Sequence, residues 1–175
     1  MKIVNLDHKF RFQLLDKWIN ENYQIGTAAD IGGSKGLLAL LLNKRGWKCT
    51  VIDPFKPQPI TKYKNIETGK RILVGKHESE AIPRRIRRFE PEMAKDYDLL
   101  IGLHAHGVNM KIIEACKKYG KKFVLLPCCV IDEPIVPQAG IHWFDSLVTH
   151  AKELGLNVDT AELKFKGQNK ILFLR

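Results

Sequence analysis

The stretch TAADIGGSKGLLALLLNKRGWKCTVIDP, residues 27–54, restricts the fold more than any other part of the chain. A short apolar run ends at glycine, an apolar helical run follows and closes at Lys44, Arg45 and Gly46, and a second apolar run stops at Pro54. Glycine after the last helical residue and cations in the last turn are the chemistry of a helix C-terminus. The pattern is strand, bend, helix, strand, which requires a parallel pair with a crossover helix.

The same alternation continues. Strands are expected at KRILVGKH, DLLIGLHAHG and KFVLLPCCV, with helices at NMKIIEACKKYG and HWFDSLVTHAKELG. The segment from Glu78 to Tyr97 is expected to be one helix starting near Pro83, with Pro91 limiting its continuity. DTAELKF and NKILFLR flank a Gly167-Gln168-Asn169 turn, too close for a helical crossover, so they form an antiparallel hairpin. Residues 9–22 place Phe10, Leu14, Leu15, Trp18 and Ile19 at helical spacing. The expected fold is α/β: one Rossmann-like domain over residues 1–175, whose residues 1–24 carry an N-terminal helix packing on the sheet. Seven strands, six parallel and one reversed, are covered by helices on both faces.

Four cysteines in 175 residues do not make a disulfide framework, and neighbours such as Cys128 and Cys129 bridge each other only with strain. No apolar segment opens the chain as a signal peptide, and no run reaches the roughly 18 residues of a membrane span. A reduced, cytoplasmic protein with no membrane association is expected. Lys and Arg number 29 against 19 Asp and Glu, a formal net charge of +10. Such a field attracts polyanions, which favours RNA as partner; a solvated lysine-rich surface is the plainer reading.

In an open α/β sheet, ligands bind beyond the carboxyl ends of the strands. Gly32, Gly33 and Gly36 let backbone approach a ligand there, and Asp53 can accept both hydroxyls of a ribose. A nicotinamide dinucleotide is disfavoured, because Asp30 would repel its pyrophosphate and GGSKG lacks the G-x-G-x-x-G spacing. A ligand with a cationic amino-acid end and a ribose suits the two carboxylates better.

DIGGSKG resembles the first motif of class I S-adenosylmethionine-dependent methyltransferases, and VIDP is similar to their second. The resemblance implies S-adenosyl-L-methionine as cofactor. Asp30, Gly32, Gly33, Ser34 and Gly36 would cradle its amino-acid end, Asp53 would hold its ribose, and Leu103 and His104 would complete the cofactor side. Ser34 replaces the family's middle glycine. GLHAHG followed by VLLPCCV is similar to a methyltransferase-like group with a Leu-His-x-Cys-Gly turn and a Cys-Cys pair, which includes a tRNA 2′-O-methyltransferase; His106 stands where that group has Cys.

His104, His106, Cys128 and Cys129 should converge at the tips of strands four and five as candidate catalytic residues. Either histidine can serve as a base or position the acceptor, or else cap its turn through a backbone hydrogen bond. A cysteine nucleophile and a zinc site are further readings. Zinc is disfavoured because HAH and CC lack structural-site spacing and adjacent residues of a strand point opposite ways. Arg84, Arg85, Arg87 and Arg88, beside Phe89, are the candidate contacts to RNA phosphates, with a solvated helix face as the alternative. Lys117, Lys118, Lys121 and Lys122 fall at the opposite end of the sheet.

The function these residues favour is methyl transfer to tRNA or rRNA. Small-molecule or protein methylation, and an RNA-binding module that keeps the fold without catalysis, are the alternatives. No separate substrate-recognition segment is visible, so a homodimer or a partner subunit is one source of target choice.

Overall fold

The computed structural model describes residues 6–175; residues 1–5 of the expected N-terminal segment lie outside the described residues. Five strands run parallel: β1 (Thr27–Ile31), β2 (Lys48–Asp53), β5 (Arg84–Ile86), β6 (Leu99–Leu103) and β7 (Lys122–Leu126). β9 (Lys170–Leu174) runs antiparallel to β7, and β8 (Asp159–Glu162) runs antiparallel to β9, so six strands share one direction. The order across the sheet is β5-β2-β1-β6-β7-β9-β8. It reverses between β1 and β6, where the crossovers leave toward opposite faces and a crevice opens.

Alternating residues of the strands feed two cores. Leu99, Ile101 and Leu103 of β6 join one cluster with α1 (Arg11–Asn22) and α2 (Leu37–Lys44). Leu100 joins the other with α4 (Asn109–Tyr119) and α5 (Trp143–Glu153). Every residue of β6 is buried, as a central strand covered on both faces requires. The N-terminal helix sits on the first face through the fully buried Leu15 and Ile19. Its buried Asp16 accepts a hydrogen bond from Arg45 Nε at 2.9 Å, and Asn20 Oδ1 accepts one from Trp47 Nε1 at 2.9 Å. Breaking such a half-buried pair from one side strands a charge, so these contacts fix where α1 docks.

The sheet's third position differs from the sequence expectation. Arg71–Leu73 forms strand β4, paired only with β3 (Lys62–Lys64) in a separate hairpin, and Leu73 is 77% exposed. The slot beside β2 is filled by Arg84–Ile86, inside the segment expected to be a helix. That segment instead holds the short helix α3 (Lys76–Glu80), β5 and a 3-10 turn at Pro91–Asp96. Ile82, Ile86 and Phe89 stand at helical spacing, yet Ile86 faces solvent while the other two are buried. Val51 N–H donates to Pro83 C=O at 2.9 Å, so edge pairing with β2 prevails over local periodicity.

All four cysteines are free thiols. Among the described residues, no helix is long and apolar enough to cross a membrane.

Candidate functional site

A cleft of 740 Å³ lies at the carboxyl ends of the parallel strands. Its walls come from Ile31 and Gly32 after β1, Asp53 and Phe55 after β2, Arg88 and Phe89 after β5. Facing them are His104 to Val108 and Lys111 after β6, and Asp132 and Pro134 after β7. A smaller depression at the opposite end of the sheet includes Lys121 and Lys122, so that lysine cluster is remote from the cleft.

The turn Gly32–Gly36 is held from below and from the side. Asp53 spans it: Oδ2 accepts from Ser34 N–H at 3.0 Å and Oδ1 from Phe55 N–H at 2.9 Å. Each carboxylate oxygen keeps a further lone pair, which is what a pair of ribose hydroxyls needs. Arg84 reaches across from β5 and donates to the carbonyls of Ser34, at 2.7 Å, and Lys35. At Gly36, φ is +85° and a Cβ would come within 2.8 Å of that guanidinium, so no other residue fits without displacing it. Ser34 itself sits at φ +49°, a conformation costing roughly 1 kcal/mol for a residue with a Cβ.

Asp30 lies under this turn and is 2% exposed. Its Oδ2 has no hydrogen-bond partner, and a Cβ on Gly33 would sit 2.4 Å from that oxygen. Burial pushes its pKa up to about 7, against the pull of the Ala39 amide and the Arg84 guanidinium. Asp30 therefore carries only part of its charge at neutral pH, which weakens its repulsion of a pyrophosphate. The glycine spacing is left as the firmer discriminator. Leu103, expected on the cofactor side, contributes its side chain to the core.

On the facing wall His104 has φ +51° and its Nε2 lies 2.9 Å from Gln168 C=O, in the turn between β8 and β9. A carbonyl only accepts, so Nε2 carries the proton and Nδ1 keeps the lone pair. Burial lowers the His104 pKa, which keeps the ring neutral at pH 7 and leaves Nδ1 free to take a proton. The backbone contact thus uses Nε2 and leaves Nδ1 as the one ring nitrogen that could act as a base. His106 turns elsewhere: its Nε2 is 3.2 Å from Cys128 Sγ, and Cys128 Sγ is 3.4 Å from Cys129 Sγ. Burial and the neighbouring thiol push Cys128 up to about 11, so almost none of it is thiolate at pH 7 and attack on a pyrimidine ring is disfavoured.

The arginine cluster is divided. Arg84 is committed to the turn, and Arg85 pairs with Asp96 Oδ2 at 2.9 Å and lies over the Tyr97 ring. Arg87 is exposed, Arg88 lines the cleft, and Phe89, at 3% exposure, is closed to base stacking from solvent. Lys111, Phe55 and Asp132 are among the wall residues that escaped the sequence reading. Phe55 is 76% exposed two residues after Asp53, a signal visible in VIDPF. Asp132 lies in an irregular stretch with no periodicity to read.

No protein-family model matches the chain, and no curated protein does. Solved structures do. The magnesium protoporphyrin IX methyltransferase of Synechocystis PCC 6803, solved with bound SAH, superposes with a TM-score of 0.58 at 13% identity, over 96% of this chain and 83% of that one. Sp1610 of Streptococcus pneumoniae, a candidate tRNA (m1A22) methyltransferase, gives 0.55 at 15% identity over 93% and 67%. An O-methyltransferase family protein from Burkholderia thailandensis gives 0.53 at 11% over 93% of this chain, which spans only 55% of that protein's length. At these identities the likeness establishes the fold, a Rossmann-like methyltransferase fold.

Proposed function

We propose that this protein transfers a methyl group from S-adenosylmethionine to RNA. The observation that carries the reading is the turn held by Asp53 and Arg84, opening at the strand ends onto a 740 Å³ cleft. The residues fit the cofactor. Asp53 retains lone pairs for the ribose hydroxyls, the exposed Phe55 ring stands beside it for a base, and Gly32 on the cleft wall leaves bare backbone for an amino-acid end. Asp30 acts on that end through the turn, from behind it. When bound, the cofactor supplies a methyl group activated on a sulfonium.

The chain's own task is to align the acceptor and accept its proton. In-line displacement needs the reacting atoms about 3–3.5 Å apart, and holding them so supplies much of the acceleration. The neutral imidazole of His104, on the cleft wall, takes the acceptor hydroxyl's proton at Nδ1. Arg88 and Lys111 on the cleft, with the exposed Arg87 next to Arg88 in the chain, meet RNA phosphates, and the net charge of +10 draws the polyanion in. The resemblance of GLHAHG and VLLPCCV to a group that includes a tRNA 2′-O-methyltransferase agrees with a hydroxyl acceptor.

Transfer of a tritiated methyl group, assayed in parallel on RNA, DNA, protein and small-molecule extracts, tests the reading. Label in RNA is expected. Label only in protein or small molecules overturns the acceptor, and a protein that binds S-adenosylhomocysteine yet labels nothing is a binding module.

A further inference from the structure

His106, Cys128 and Cys129 are the one His/Cys/Asp/Glu group among the described residues whose ligand atoms all lie within 4.8 Å of one another. They converge because β6 and β7 are adjacent and end in register, Leu103 beside Leu126. His106 follows the first strand end by three residues, and the cysteines follow the second by two and three. The rule that neighbouring side chains of a strand point apart lapses here, since β7 stops at Leu126 and Pro127 breaks the ladder. The two sulfurs lie 3.4 Å apart, on the same side, and the imidazole Nε2 lies 3.2 Å from the first.

Around a tetrahedral zinc ion with bonds near 2.3 Å to sulfur and 2.0–2.1 Å to nitrogen, ligand atoms stand about 3.5–3.8 Å apart. The His106–Cys128 and Cys128–Cys129 pairs would open by a few tenths of an ångström around the ion, and His106 and Cys129 already lie within 4.8 Å of each other. We propose that His106, Cys128 and Cys129 form a three-ligand site for a zinc-class cation, with its fourth position left to water or to a donor from the cleft. All three residues are at least partly exposed, and His106 is a wall of the cleft, so the ion has a path in.

The loops that carry the ligands are fixed to each other independently of any metal. A Cβ on Gly107 would lie 2.8 Å from the Asp132 Cβ and 3.0 Å from the Asp132 carbonyl oxygen, an approach that glycine permits. Glu133 accepts from the Asn109 amide at 2.8 Å and the Asn109 side chain at 2.7 Å, seating the second loop on the N-terminus of α4. The donor set is soft and borderline, which selects zinc over magnesium or calcium. On binding, each thiol gives its proton to solvent, so affinity rises with pH. Three protein ligands and one open place is the arrangement of reactive zinc sites, not of closed structural ones.

Zinc titrated into the reduced protein, in competition with a chromophoric chelator, should be taken up at one ion per chain. Removing a group that merely supports a metal ligand costs about 10–100-fold in affinity, so Cys128→Ser, Cys129→Ser and His106→Ala should each cost more than about 100-fold, with unchanged circular dichroism. Zinc should also shield Cys128 and Cys129 from iodoacetamide, read by peptide mass spectrometry on the unsubstituted protein even where a variant misfolds. No stoichiometric uptake, uptake that survives all three substitutions, or equal alkylation with and without zinc overturns the site. The probe is the metal alone, so the outcome is independent of whether the chain methylates anything.

Discussion

The turn after β1 and the loops after β6 and β7 face each other across one cleft but are anchored differently. In the turn, polar groups are bound by residues from two strands, Asp53 across and Arg84 from the edge, while Asp30 lies packed beneath it. The opposite loops expose Ile131, Val136 and Ile141, and they carry the thiols. A cofactor common to many reactions needs one fixed geometry, whereas an acceptor is particular to one reaction. On the proposed reading the first wall, built from strand ends and backbone, holds the cofactor, and the second, built from loops pinned at Gly107 and Glu133, meets the acceptor.

The sharpest way to break this contrast is Asp53→Ala. It frees two amides and removes the ribose acceptor, so affinity for S-adenosylhomocysteine should fall by more than about 100-fold in calorimetry, the worth of one or two charged hydrogen bonds. A loss below threefold would mean the fixed wall is not the nucleoside wall. Gly36→Val comes next: its side chain displaces the Arg84 guanidinium and forces a strained φ, at about 1–3 kcal/mol in urea unfolding.

Asp30 gives the third test. Its carboxyl titrates at about 7 when folded against 3.8 as its reference, so the folded state holds one more proton between those values. Stability from this group is present below pH 4 and is lost as pH rises to about 7, by at most roughly 1.4 kcal/mol per pH unit. Urea midpoints between pH 4.5 and 7.5 should fall more steeply for the native chain than for Asp30→Asn. Equal slopes would place the proton elsewhere.

Smaller effects separate the arginines. Arg87→Gln with Arg88→Gln should flatten the salt dependence of RNA binding by about 1.4 in log–log slope, about 0.7 for each phosphate no longer neutralised. Cofactor affinity should be unchanged by the pair, whereas Arg84→Gln should lower it. Val136→Ser, at a residue 90% exposed, should shift stability by less than about 0.5 kcal/mol; a larger shift would show that the loop wall is packed after all.

The contrast also explains what the sequence disclosed. Six of the seven sheet strands, the reversed last strand and the glycine turn were legible because alternation, a helix stop at Gly46 and a tight hairpin are local signals. The third strand was not, because Arg84–Ile86 is a strand only through its pairing with β2 and the reach of Arg84 to the turn. For the same reason four adjacent arginines read as one cluster, although two of them are bound within the protein. His106, Cys128 and Cys129 were legible as neighbours from strand order alone. Their common facing was hidden, since it depends on where β7 stops.

Arg84 joins segments 50 residues apart in the chain. The carbonyls of Ser34 and Lys35 therefore find their partner only after the third parallel strand has docked on the sheet's edge. During synthesis the glycine bend emerges early but lacks the Arg84 contact until this later segment has left the ribosome.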